Sequence, residues 1–257
     1  MTAPALRFAK LLRKELESYK VPVFFLAAAI VLWGIFLWTR ASKWHPDAIL
    51  GLCLLPITLV IFWSFLSAVL RLRQEWDGNH VHLILPFPVH GWYITGAKVL
   101  ATLLEMMALT LLVIVCALAV GRNSFLLRVG DLPTVYGAAD IVSMSLQALL
   151  VFWLSLCMVT VVVQFACISG RLYERFSGLI SVWVLVLSVW VSVRFGALVE
   201  PALRWLPDLK FKSVRMINDY MSFATVMVSS APLASALLWA LILFFAGSWL
   251  LERQVEI

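Results

Sequence analysis

The residue types that carry chemistry gather in one stretch of this chain. Between Arg71 and Lys98 stand Arg71, Arg73, Glu75, Asp77 and the histidines His80, His82 and His90. Their spacing decides what chemistry is open to them. His80 and His82 are two apart, which suits a strand edge better than one helix face, and no third His or Cys stands near them. They read as solvated groups at an interface rather than as metal ligands. The run Gly91-Trp-Tyr-Ile-Thr-Gly96-Ala97-Lys98 echoes a phosphate-binding loop. That loop needs Lys directly after its second Gly, then Ser or Thr for magnesium. Here Ala97 intervenes and Val99 follows, so the lysine is out of phase and the metal ligand is missing. There is no Gly-x-Ser-x-Gly and no His-Glu-x-x-His. Cys53, Cys116, Cys157 and Cys167 all fall inside apolar runs and read as small buried hydrophobes. The chain is therefore expected to be no enzyme, with no catalytic residue, metal or cofactor of its own. A lipid-modifying enzyme resting on Glu105 and Asp140 is the weaker alternative.

The elements around this stretch are dictated by composition. Hydrophobic residues make up 63% of the 257 and charged residues only 13%, whereas a soluble domain carries about 25% charged residues. A soluble surface cannot be made from so few charges, so the chain reads as one integral membrane domain over residues 1–257. Six apolar runs are long enough to span a bilayer core of about 30 Å: roughly 21–39, 48–70, 99–120, 138–169, 177–193 and 232–251. The predicted fold class is all-α with six transmembrane helices. Pro22 falls in the first turn of span 1, where a missing N–H costs little, and Pro56 should kink span 2. The segment 194–231 holds Pro201, Pro207, Lys210, Lys212 and Arg215, then a moderately apolar half, Met216–Ser230. That half is expected to form a short re-entrant or interfacial helix.

Ahead of span 1, residues 5–20 form an amphipathic pattern. Phe8, Leu12, Leu16 and Tyr19 share one side, with Arg7, Lys10, Arg13, Lys14, Glu17 and Lys20 on the other. Such a helix lies in the interface plane and meets membrane lipid. Glu15 is the exception, projecting into the apolar sector. It either pairs with a nearby basic residue or contacts a partner subunit. Within the spans, Glu105, Gln147 and Gln164 are candidate interior or pathway residues, since a carboxylate at that depth snorkels or faces the bundle. Basic residues concentrate in the N-terminal helix, the 71–98 segment, the 170–176 turn and the C-terminal tail, which predicts cytoplasmic termini. The net charge of +6 sits at span ends and gives no reason to expect nucleic acid.

Three features together resemble the ABC-2 type permease subunits of bacterial ABC transporters. One is the basic N-terminal helix with Leu-Leu-Arg-Lys-Glu-Leu at 11–16. A second is Glu75, Gly78, the run Leu-Ile-Leu-Pro-Phe-Pro-Val at 83–89, and Gly96-Ala-Lys98. The third is the long segment between spans 5 and 6. The resemblance implies a multi-pass protein of the bacterial inner membrane. It would pair with a second permease copy or a paralogue, and with ABC ATPase subunits that bind the ATP and magnesium. Residues 71–98 would then be a coupling segment. The ATPase-facing residues implied are Glu15, Arg73, Glu75, Asp77, Gly78, Leu83, Leu85, Pro86, Arg171 and Glu174. A membrane-embedded regulatory or assembly partner of an ATPase is the alternative from another class. Among exported antibiotics, peptides, lipids and glycans, fold cannot choose.

Overall fold

The computed structural model describes residues 4–41, 43–77, 91–124, 138–172, 176–217 and 220–255. In chain order these form α1 (Pro4–Ser18), α2 (Lys20–Arg40), α3 (Pro46–Asp77), α4 (Gly91–Ser124), α5 (Ala138–Arg171), α6 (Ser177–Leu203), β1 (Leu209–Ile217), β2 (Tyr220–Val228) and α7 (Ala231–Val255). Among the described residues, α2 to α7 are the six helices long and apolar enough to cross a membrane, so the predicted fold class holds. Four prolines stand where their missing N–H is harmless: Pro4 and Pro46 open α1 and α3, and Pro22 and Pro232 lie in the first turns of α2 and α7.

Two helices run further than expected, and both extensions matter to the site. Span 2 was drawn to end near Leu70, but α3 continues through Arg71, Leu72, Arg73, Gln74 and Glu75 to Asp77. These are good helix formers, with no Gly or Pro until Gly78. Span 3 was drawn from Val99, but α4 starts at Gly91. The polar stretch 71–98 is thus helical at both ends, and 78–90 lies outside the described residues. At about 1.5 Å per residue the 32 residues of α3 reach roughly 48 Å, well beyond a hydrocarbon core of about 30 Å. Similarly α6 continues ten residues past the expected Val193, to Leu203.

The segment before α7 corrects a second expectation. Where a re-entrant or interfacial helix is expected over Met216–Ser230, the chain forms an antiparallel hairpin, β1 with β2, in register from Leu209↔Val228 to Ile217↔Tyr220. That register leaves only Asn218 and Asp219, which lie outside the described residues, between the last paired residues. Ser230 Oγ donates to the Pro207 carbonyl at 2.8 Å and closes the base of the hairpin.

α4 is the hub, touching α1, α2, α3, α5 and α7. α6 packs on α5 and α7 and buries only Ser188, so Leu179, Val182, Trp183, Val186 and Trp190 line an outward apolar face suited to lipid. Pro56 lies inside α3 as expected. Having no N–H, it leaves the Leu52 carbonyl one turn back without its helical donor. The Trp33 indole of α2 fills that role, donating to Leu52 O at 3.1 Å. A small cavity opens at this break, lined by Ile30, Gly34, Cys53, Pro56, Val113 and Cys116 among others.

Candidate functional site: a buried charge cluster under the N-terminal helix

α1 keeps the predicted two faces. Lys10, Arg13, Lys14 and Glu17 are exposed, while Phe8, Leu11, Leu12 and Leu16 are half-buried. The apolar face covers the end of the bundle: a Cβ added at Gly96 would touch Phe8 at 3.8 Å, and the Phe8 ring lies 6.2 Å from that of Tyr93. At this end α1, the end of α3 and the start of α4 meet, and there the chain buries four ionisable side chains together.

Arg71 of α3 is at the centre, 1% exposed. Its Nη2 donates to Glu105 Oε1 of α4 at 2.5 Å. Its Nη1 donates to Glu15 Oε2 at 3.1 Å and to the Glu15 backbone carbonyl at 3.0 Å. Glu15 lies in the last turn of α1, so Arg71 holds the end of that helix by both its backbone and its side chain. Lys98 of α4, also 1% exposed, donates to Glu15 Oε1 at 2.9 Å and to the Arg71 carbonyl at 3.2 Å. The Tyr19 ring covers the guanidinium, 4.5 Å from its centroid. Two cations and two carboxylates cancel, as a buried cluster requires. The Glu15 carboxylate of α1 is thus shared by cations from two different spans.

The cluster continues into a polar seam between α3, α4 and α5. Ser64 and Thr160 hydroxyls meet at 3.4 Å, and Ser67, Thr102 and Gln164 are buried alongside. On the other flank the end of α7 pins the start of α4. Glu252 Oε1 accepts the Gly91 N–H at 2.7 Å, and the Thr95 and Ser248 hydroxyls lie 2.8 Å apart. The approach leaves no room for a side chain at Gly91: a Cβ there would sit 2.7 Å from the Ser248 carbonyl oxygen.

The residues expected to face a partner fall into three groups. Glu15 is engaged inside the chain: of the two readings left open for it, pairing with basic residues is the one observed, with Arg71 and Lys98 as the partners. Arg73 is exposed near the end of α3 and Arg171 is half-buried at the end of α5. Glu75 and Asp77 stand in the last turn of α3. Gly78, Leu83, Leu85, Pro86 and Glu174 lie outside the described residues, as do His80 and His82. Of the candidate interior groups, Glu105 joins the cluster, Gln164 is buried in the seam, and Gln147 is half-buried with its Oε1 unpartnered.

Sequence reasoning took Arg71 and Lys98 for surface charges and placed Tyr19 only on the apolar face of the first helix. The available signal was Glu15: a carboxylate in an apolar sector demands a cation, and the segment ends supplied two. Comparison of the chain with family models, with curated proteins and with solved structures finds no match among any of them.

Proposed function

We propose that this chain is the membrane-spanning permease subunit of an ATP-driven exporter, with ATP hydrolysis carried by a separate subunit. One observation supports the reading above the others: α1 is locked through Glu15 onto both α3 and α4, the two helices that flank 78–90. A force applied to that segment or to α1 would therefore move the three elements as one body, and spans move in such a unit when a rigid push is transmitted. The exposed face of α1, with Lys10, Arg13 and Lys14, offers basic groups at this end, and Arg73 is exposed near the end of α3. Glu75 and Asp77 add acidic groups close by. Two of the three features that resemble ABC-2 permeases fall in this part of the sequence, at 11–16 and between Glu75 and Lys98.

The test is purification of the full chain from native membranes followed by vesicle transport. An ATPase should co-purify in stoichiometric amount, and the vesicles should show ATP-dependent movement of substrate. The double variant Glu75→Lys/Asp77→Lys should keep ATP hydrolysis while losing transport. Purification without any ATPase, or a double variant that transports like the parent, sinks the proposal. A bound ATPase with no ATP-dependent movement gives the regulatory reading, and a lipid-modifying reaction abolished by Glu105→Gln gives the enzyme reading.

A further inference from the structure

The two strands of the hairpin differ in how their outer edges are protected. An edge strand carries a row of N–H and C=O groups without a partner strand, and natural edges are guarded by lysine, proline, bulges or a covering element. β1, Leu-Lys-Phe-Lys-Ser-Val-Arg-Met-Ile, holds Lys210, Lys212 and Arg215 and packs against α5. β2, Tyr-Met-Ser-Phe-Ala-Thr-Val-Met-Val, has no charge, no proline and no glycine. Its pairing with β1 is unbroken over nine residues, so no bulge turns it aside. Among the described residues the sheet has two strands, and β1 is the element on which β2 packs. Successive residues of a strand point to opposite faces. Val226, Met227 and Val228 are all exposed, so neither face of this end of β2 is covered by the bundle. A two-stranded hairpin is marginal by itself. In lipid a bare edge has no water to bond, and in water the apolar side chains stay wetted. A further strand on β2 relieves both.

We propose that β2 is a docking edge for the β2 strand of a second copy of this chain, the two pairing antiparallel about a two-fold axis to make a four-stranded sheet. Charge selects the occupant. β2 against β2 brings no charges together, and a two-fold sets identical strands antiparallel. Pairing through β1 would set three cations against three cations, which is unfavourable across a strand pair. A charged peptide finds no counter-charge on β2. The contact also lies apart from the charge cluster. Glu252, near the end of α7, meets Gly91 beside that cluster, so the start of α7 and the hairpin before it belong to the opposite end of the bundle. The inference therefore holds or fails independently of what the chain transports.

Disulfide cross-linking of the full-length protein in its native membranes tests it. Cysteine is introduced in turn at Ser222, Ala224 and Val226 of β2, and at Ser213 of β1, with the parent chain as the control for its own four cysteines. Mild oxidation should convert most of the chain to a covalent homodimer at the β2 position nearest the two-fold, while Ser213→Cys and the parent stay monomeric. No dimer from any β2 position, a dimer equally strong from Ser213→Cys, or a covalent adduct with a different protein instead of a second copy overturns the proposal. Thr225→Glu/Met227→Glu, added to the cross-linking variant, supplies the second arm. By register these residues stand opposite Lys212 and Lys210, so the carboxylates support the hairpin itself. Across two β2 strands they place four like charges, and the cross-linked fraction should fall several-fold. An undiminished dimer in this variant also overturns the proposal, and the comparison of β2 with β1 stands by itself if the variant fails to fold.

Discussion

The same helices, α3 and α4, solve opposite problems at their two ends. Toward α1 they enclose Ser64, Ser67, Arg71, Lys98, Thr102 and Glu105, a polar interior held by ion pairs. Toward the far end, with α2, they enclose a cavity lined by Ile30, Cys53, Pro56, Val113 and Cys116, an apolar interior with one polar defect. That defect, the Leu52 carbonyl freed by Pro56, is closed by a single Trp33 donor. A lone defect can be repaired by one side chain from a neighbour. A charge needs a counter-charge, each counter-charge brings further lone pairs, and so the polar end recruits four elements. Packing holds one end, and mutual neutralisation holds the other.

The sharpest way to break this contrast is at Arg71. Arg71→Met leaves Glu105 buried without its cation, and removing one partner of a buried pair costs about 3–5 kcal/mol. Chemical unfolding in detergent should show that loss. Arg71→Met combined with Glu105→Leu removes one cation and one carboxylate, keeps the Glu15–Lys98 pair, and should recover most of it. A double variant as unstable as the single would mean that the pair is not acting through charge. At the far end the expected effect is smaller. Trp33→Phe strands the Leu52 carbonyl and should cost about 1–3 kcal/mol in the same measurement. Pro56→Ala returns an N–H to α3, so Trp33→Phe should cost less in that background. Equal costs in both backgrounds would detach Trp33 from the proline break.

The smallest effect belongs to the exposed face of α1. Glu17 bonds Arg13 at 2.7 Å, and that hydrogen bond and charge hold its carboxyl below the usual carboxylate range. A depressed carboxyl contributes stability that is fully present above its ordinary pKa of 4.5 and is lost as pH falls through the lower folded value. Exposed pairs of this kind contribute little and are screened by salt. Glu17→Gln should therefore trim only a small part of the acid limb of the melting temperature, and that part should shrink further in high salt. A large change would make α1 depend on its outer face rather than on Glu15.

Much of the architecture was legible from composition and from the length of the apolar runs, because continuous apolar stretches of about 20 residues cross lipid as helices, which satisfy their own backbone. The amphipathic face of α1 and the break at Pro56 were legible for the same reason, being local. The cluster was not, since Arg71 and Glu15 are 56 residues apart and Arg71 and Glu105 34. Spacing reports a helix face and says nothing of which face it meets. Only Glu15, as a carboxylate on an apolar stripe, announced that a cation was missing. The end of α3 was misjudged because charged residues were read as leaving the helix, although Arg, Gln and Glu extend helices readily. The hairpin was missed because clear alternation covers only Leu209–Lys212, and the Asn218-Asp219 signal was read as part of a helix.

The contact between Gly91 and Glu252 sets an order of events during synthesis. The first backbone N–H of α4 waits for an acceptor that the ribosome delivers 161 residues later. Until α7 has been inserted, the opening turn of α4 stands uncapped and the groove that only glycine fits stays open. A chain that lacked α7 would therefore leave the first N–H of α4 without its carboxylate acceptor, close to the charge cluster.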